Sequence, residues 1–157
     1  MQGGKVKAIN MLGCGTSYLV SSLTRVPFVP HMPAAISFEL TNHCNLKCLE
    51  CASGSGAMKR KRGFMETGIY FKTVRELSPY LWFINLYFQG EPMLHPEFFS
   101  FTGAIAGARI TVSTNGHYLS AENCEKLAHS GISRLIVSLD GMDKETYSQY
   151  RKGGDLN

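Results

Sequence analysis

No run of the chain approaches the roughly 20 apolar residues a membrane-spanning helix needs, so neither a helical membrane protein nor a membrane partner is expected. Cysteine is scarce and odd in number, five in 157 residues, which argues against a secreted scaffold stapled by paired disulfides. Charge is sparse as well: 18% of residues are charged against 44% hydrophobic, the balance of a folded domain and not of a disordered segment. Met11 to Gly15 (MLGCG) has the look of a lipoprotein cleavage site, but the apolar run before Cys14 is far short of the about 7–15 residues of a signal-peptide core. A cytoplasmic protein is therefore expected. The net charge of +4 is uneven, with Lys59, Arg60, Lys61 and Arg62 in one run. No aromatics interleave with these cations, which leaves nucleic-acid binding unsupported. The run reads either as a solvated loop or as a contact for an anionic substrate.

What the chain does have is alternation of strands and helices. Residues 1–34 form a loosely patterned lead-in, punctuated near its end by Pro27, Pro30 and Pro33. From Ala35 to Thr41 apolar and polar residues alternate with the period of a strand. Glu66 to Leu81 has helical spacing, with Phe71, Val74 and Leu77 along one side. Trp82 to Gln89 is nearly all apolar, as in a strand covered on both faces of a parallel sheet. Pro96 suits a helix's first turn, and that helix is expected to run to about Gly107. Arg109–Thr114 reads as the third strand. Ser120 and Gly131 bound a third helix, with Cys124 on its core side. Arg134–Leu139 reads as the fourth strand, and Asp143 caps a last helix. Such order calls for right-handed crossovers and an α/β fold with a parallel sheet. At roughly 30 residues per unit, residues 35–157 hold about four β/α units.

Cys44, Cys48 and Cys51 form a C-x3-C-x2-C triplet just past the first predicted strand. Three thiolates this close can share a metal centre. A four-iron cluster ordinarily takes four cysteines, so three leave one iron open, and an open position is where metal chemistry takes place. Structural zinc is the plainer alternative, with His43, Cys14 or Cys124 as a fourth ligand. Zinc sites, however, usually pair cysteines as C-x2-C twice, and no second pair is present.

Ligands of barrels and wound sheets sit beyond the carboxyl ends of the strands. If Ile36, Phe38 and Leu40 pack outward against helices, strand parity turns Glu39, Thr41, Asn85, Tyr87, Gln89, Ser113, Asn115, Ser138 and Asp140 inward. Polar side chains there mark a polar-ligand site. The same ends carry Gly90-Glu91-Pro92, Ser113-Thr114-Asn115-Gly116 and Ser138-Leu139-Asp140-Gly141.

With the cysteine triplet, these strings make the chain resemble the radical S-adenosylmethionine (radical SAM) superfamily over about Ala35 to Asn157. The resemblance implies a parallel, partial TIM-type barrel with about four of six units present, a core at residues 35–157 that is expected to be cut short. It implies a 4Fe–4S cluster on Cys44, Cys48 and Cys51, with S-adenosylmethionine on the open iron. Gly90, Glu91 and Pro92 would meet the cofactor's amino group. Ser113 and Asn115 belong to the third-strand turn, and Ser138 or Asp140 would reach the ribose. A flavodoxin- or ferredoxin-like donor would supply an electron, yielding a 5′-deoxyadenosyl radical for hydrogen abstraction. No catalytic residue of the chain itself is assigned. Leu49 and Glu50 stand where many relatives place an aromatic. The loop after the triplet looks most like the SPASM-extended branch, which implies a peptide or protein substrate. The rival is a non-catalytic metal-binding remnant or zinc module. With four units, the chain is expected to be a poor enzyme by itself.

Overall fold

The computed structural model describes residues 2–103 and 107–156, and its centre is the parallel sheet the alternation calls for. Strands β1 (Ala35–Ser37), β2 (Phe83–Asn85), β3 (Arg109–Thr114) and β4 (Ile132–Val137) lie in the order β1-β2-β3-β4, every neighbouring pair parallel. Sequential parallel strands with helical crossovers make this α/β sheet one wall of a partial barrel. The strands are shorter than their hydrophobic patterns. Hydrogen bonding continues past β1, where Phe38 N–H donates to Asn85 C=O at 2.8 Å.

One face of the sheet is apolar. Phe38, Leu40, Ile84, Leu86, Ile110 and Val112 are buried there, each contributing about 1.5–3 kcal/mol by leaving water. Helices α2 (Thr67–Leu77) and α3 (Phe98–Phe101) cover this face with Tyr70, Val74, Phe98 and Phe101. Tyr70 and Val74 stand four residues apart, on one side of α2. The Tyr70 hydroxyl, deep in this core, donates to Phe101 C=O at 2.7 Å, so its polar group is not left stranded. The helix expected from Pro96 to Gly107 is shorter. A 3-10 turn at Pro92–Leu94 comes first, α3 spans four residues, and positions 104–106 lie outside the described residues.

Helices α4 (Ala121–Ala128) and α5 (Lys144–Tyr150) start where their caps predict. Ser120 accepts from Asn123 N–H, and Asp143 forms a capping box with Thr146. Cys124 departs from expectation: it is exposed. Leu127 packs against the core, but no residue of α4 is fully buried, and Cys124, one turn earlier on the same side, stays in solvent.

The lead-in is not irregular. Helix α1 spans Gln2–Thr24, and its polarity is reversed: Lys7, Asn10 and Ser17 are buried, while Ile9, Leu12, Leu19 and Leu23 are exposed. Polar bonds attach it. Lys7 Nζ donates to Gly107 C=O at 2.6 Å, Asn10 exchanges two bonds with the Met32 backbone, and Trp82 Nε1 donates to Lys7 C=O. Four glycines and an inward polar face are why periodicity does not announce this helix.

Candidate metal and cofactor site

The opposite face of the sheet is polar at its carboxyl end, as strand parity requires. Asn85 Nδ2 donates to Ser37 Oγ at 3.2 Å, and the hydroxyls of Ser113 and Ser138 lie 3.3 Å apart across β3 and β4. Just beyond β1 the chain enters the cysteine loop, whose two ends are sewn together. Thr41 Oγ1 donates to Gly63 C=O, while the Asn42 side chain donates to Lys61 C=O and accepts from Gly63 N–H. The basic run serves the same closure. Arg60 pairs with Glu39, and Arg62 donates to Ser53 C=O at 2.6 Å. Two of its four cations are therefore occupied in shaping the loop.

Inside the loop Leu46 is buried as an anchor, and Cys48 is only 4% exposed. Gly54 lies flat against the Cys48 backbone, where a Cβ would come within 2.5 Å of Cys48 N. The three cysteines open onto one cleft of about 240 Å³, shared with Gly90, Glu91, Ser113, Asn115 and Ser138. Eight of the ten candidate positions thus meet in one place. Pro92 is buried at the start of the 3-10 turn, away from the cleft wall. Asp140 also stands off it and pairs with Arg151.

The cleft suits a thiolate-bound group. Leu46 N–H points at Cys44 Sγ at 3.4 Å, Asn115 Nδ2 lies 3.8 Å from the same sulfur, and Arg151 Nη1 lies 3.8 Å from Cys48 Sγ. Donors on sulfur stabilise thiolate ligands and tune what they bind. Burial pushes the Cys44 thiol above its ordinary value, opposed by the Leu46 N–H, so a metal must displace that proton. Among the described residues, no three His, Cys, Asp or Glu side chains converge as ligands of a single ion.

Glu91 is 1% exposed. One carboxylate oxygen accepts from Thr114 Oγ1 at 2.8 Å and Met93 N–H at 3.1 Å, the other from Asn115 N–H at 2.7 Å. Burial pushes its pKa up, partly offset by these donors. Glu91 therefore clasps the loop after β2 to the turn after β3. Gly90, with φ +75°, completes the joint, since a Cβ there would press into the carbonyl oxygens of Thr41 and His43. Glu91 N–H donates to His43 C=O at 2.8 Å.

The family profile of the Radical SAM superfamily matches residues 38–157, which takes in the whole of this cleft. The chain belongs to the radical SAM superfamily. Among curated relatives of this radical SAM chain is the AdoMet-dependent heme synthase of Methanosarcina barkeri (strain Fusaro / DSM 804). It is 35% identical over 121 residues, 76% of this chain and 34% of the relative. The mycofactocin maturase MftC of Mycobacterium ulcerans (strain Agy99) is 32% identical over 127 residues, 79% and 34% of the two chains. The chain thus spans about a third of the length of these relatives. Among solved structures, BtrN in complex with AdoMet and 2-DOIA superposes with a TM-score of 0.62 at 26% identity, covering 77% of this chain and 53% of that one. Streptococcus suis SuiB bound to its precursor peptide SuiA gives 0.64 at 18%, covering 83% and 29%, a likeness of fold.

Sequence reasoning missed two parts of this cleft, Arg151 and Gly54, and turned a third residue, Gln89, inward without giving it a partner. The Gln89 amide oxygen lies 3.8 Å from Cys51 Sγ and accepts from Ser53 Oγ at 3.3 Å. Strand parity already turned Gln89 inward. Nothing in the local sequence links Arg151 to Cys48, 103 positions earlier.

Proposed function

We propose that Cys44, Cys48 and Cys51 hold a 4Fe–4S cluster and that the adjoining cleft takes S-adenosylmethionine, making the whole protein a radical SAM enzyme. The observation that carries this reading is that all three cysteines share one cleft with the residues following β2, β3 and β4. When bound, the pair would supply one-electron cleavage of S-adenosylmethionine to a 5′-deoxyadenosyl radical, which takes a hydrogen atom from substrate.

The chain's own residues prepare the place. The sewn loop fixes three sulfurs before any metal arrives, which lowers the ordering cost of ligation. The clasp at Glu91 sets the Gly90–Pro92 loop beside those sulfurs, where the loop backbone would receive the cofactor's ammonium and the Glu91 carboxylate would act by holding the loop in place. Ser113 and Asn115 line the β3 side of the cleft. Of the two polar residues after β4, Ser138 takes the ribose-binding role, because it lines the cleft while the Asp140 carboxylate pairs with Arg151 outside it.

The reading takes the cytoplasm as compartment, where thiols stay reduced, and a flavodoxin- or ferredoxin-like protein as electron donor. A peptide or protein substrate is supported by the likeness to the MftC maturases and by the fold shared with SuiB bound to its precursor peptide. The test is electron paramagnetic resonance of the anaerobically reconstituted, chemically reduced chain. A cluster signal that changes shape on adding S-adenosylmethionine is expected. A cluster signal indifferent to it would remove the cofactor from this cleft.

A further inference from the structure

Arg151 is the one cation of the described cleft lining, and nothing in the reading above employs it. It follows α5, with its side chain only 14% exposed. Its Nε pairs with Asp140, which follows β4, while Nη1 points at the Cys48 sulfur from 3.8 Å. A guanidinium is always charged and directs its donors in a fixed fork, so the one side chain spans both partners. The backbone beside it docks independently: Lys47 N–H donates to Lys152 C=O at 2.8 Å. The cysteine loop is therefore held against the end of α5 by a bond that does not involve the Arg151 side chain.

We propose that Arg151 is a positioning residue for the cluster's electronics: its guanidinium, aimed by Asp140, makes the centre on Cys48 easier to reduce. The inference rests on the cluster assignment. Adding an electron adds negative charge, and a nearby cation largely shielded from solvent favours the reduced form more than one in water. Hydrogen bonds to cluster sulfurs act in the same direction. Asp140 has two effects of opposite sign, since it aims the guanidinium and also neutralises part of its charge. In D140N the amide oxygen still accepts from Arg151 Nε, so the aim is kept and only the neutralising charge is lost.

This makes the test one of sign. The midpoint potential of the reconstituted cluster is measured by redox titration without S-adenosylmethionine in the 157-residue chain and in R151M, R151K and D140N. Iron content is read on each sample. R151M is expected to shift the midpoint to more negative potential at unchanged iron content, and R151K to return most of that shift. D140N is expected to shift it to more positive potential. A purely structural role would move R151M and D140N alike, because both break the same ion pair. Equal signs, or midpoints that do not move in loaded variants, overturn the proposal. Should R151M take up no iron, R151K and D140N alone decide, by the same signs. A parent chain that loads no iron–sulfur cluster contradicts the underlying assignment instead, so the two failures are distinct.

Discussion

Helix α1 and the sheet that carries the cysteine cleft solve the problem of attachment in opposite ways. Behind the cleft, Leu40, Ile84, Leu86 and Val112 are fully or almost fully buried, and the polar side chains stand at the strand ends. In α1 the polar side chains Lys7, Asn10 and Ser17 are inward, the Ser17 hydroxyl without a partner, and the apolar stripe is outward. Burial of apolar surface stabilises by roughly 25 cal/mol per Å², whereas a hydrogen bond that replaces one to water adds about 0.5–1.5 kcal/mol. The cleft is thus braced by the strongest part of the molecule and α1 is attached by a handful of polar bonds. Cluster loading should depend on the first region and be indifferent to the second.

The largest effects test the cleft itself. Replacing Cys44, Cys48 or Cys51 singly with Ala should abolish cluster absorbance, because two thiolates hold an exposed cluster too weakly. Cys14→Ala, in the attachment of α1, and Cys124→Ala, on exposed α4, should leave it intact. Next comes the brace: Leu86→Ala, at a fully buried site, should cost about 2–5 kcal/mol of stability by denaturant titration. Leu12→Ser on the exposed stripe of α1 should stay within about 0.5 kcal/mol. An equal cost at both positions would mean that α1 is as integral as the sheet.

A smaller effect is expected at Glu91. Glu91→Gln places an amide where three donors converge and should cost about 1–3 kcal/mol, weaken S-adenosylmethionine binding and preserve iron content. The pH dependence sharpens this. The folded pKa of Glu91 is raised, chiefly by burial, above its ordinary value of 4.5. The folded state therefore holds that proton more tightly than the unfolded one. Its contribution to stability is greatest below 4.5 and falls as pH rises through the raised folded value. Glu91→Gln should flatten that part of the stability profile; an identical slope in both proteins would exclude Glu91 as its source.

Much of this was legible in the sequence. Alternation in Ala35–Thr41 and the apolar Trp82–Gln89 run located β1 and β2, and parity placed Ser113 and Ser138 on one face. Boundaries were less legible, because hydrophobic patterning records burial while strand limits record hydrogen bonding. Leu40 is buried three residues beyond the end of β1. Helix α1 was invisible because its buried face is polar. The two-sided burial expected of β2 also fails, since Phe83 is exposed on the face that carries Asn85. Glu91 was recognisable as a site residue, but its clasp on Thr114 and Asn115 depends on strands meeting in space. The same is true of Arg151 and Cys48.

That the three cysteines of this cleft hold an iron–sulfur cluster is the proposal on which the other predictions rest. Its most direct test is the metal and acid-labile sulfide content of the chain after anaerobic purification and reconstitution. About four irons and four sulfides per chain are expected, falling to background in Cys48→Ala. Stoichiometric zinc with no sulfide would contradict the claim and leave a structural metal site in its place.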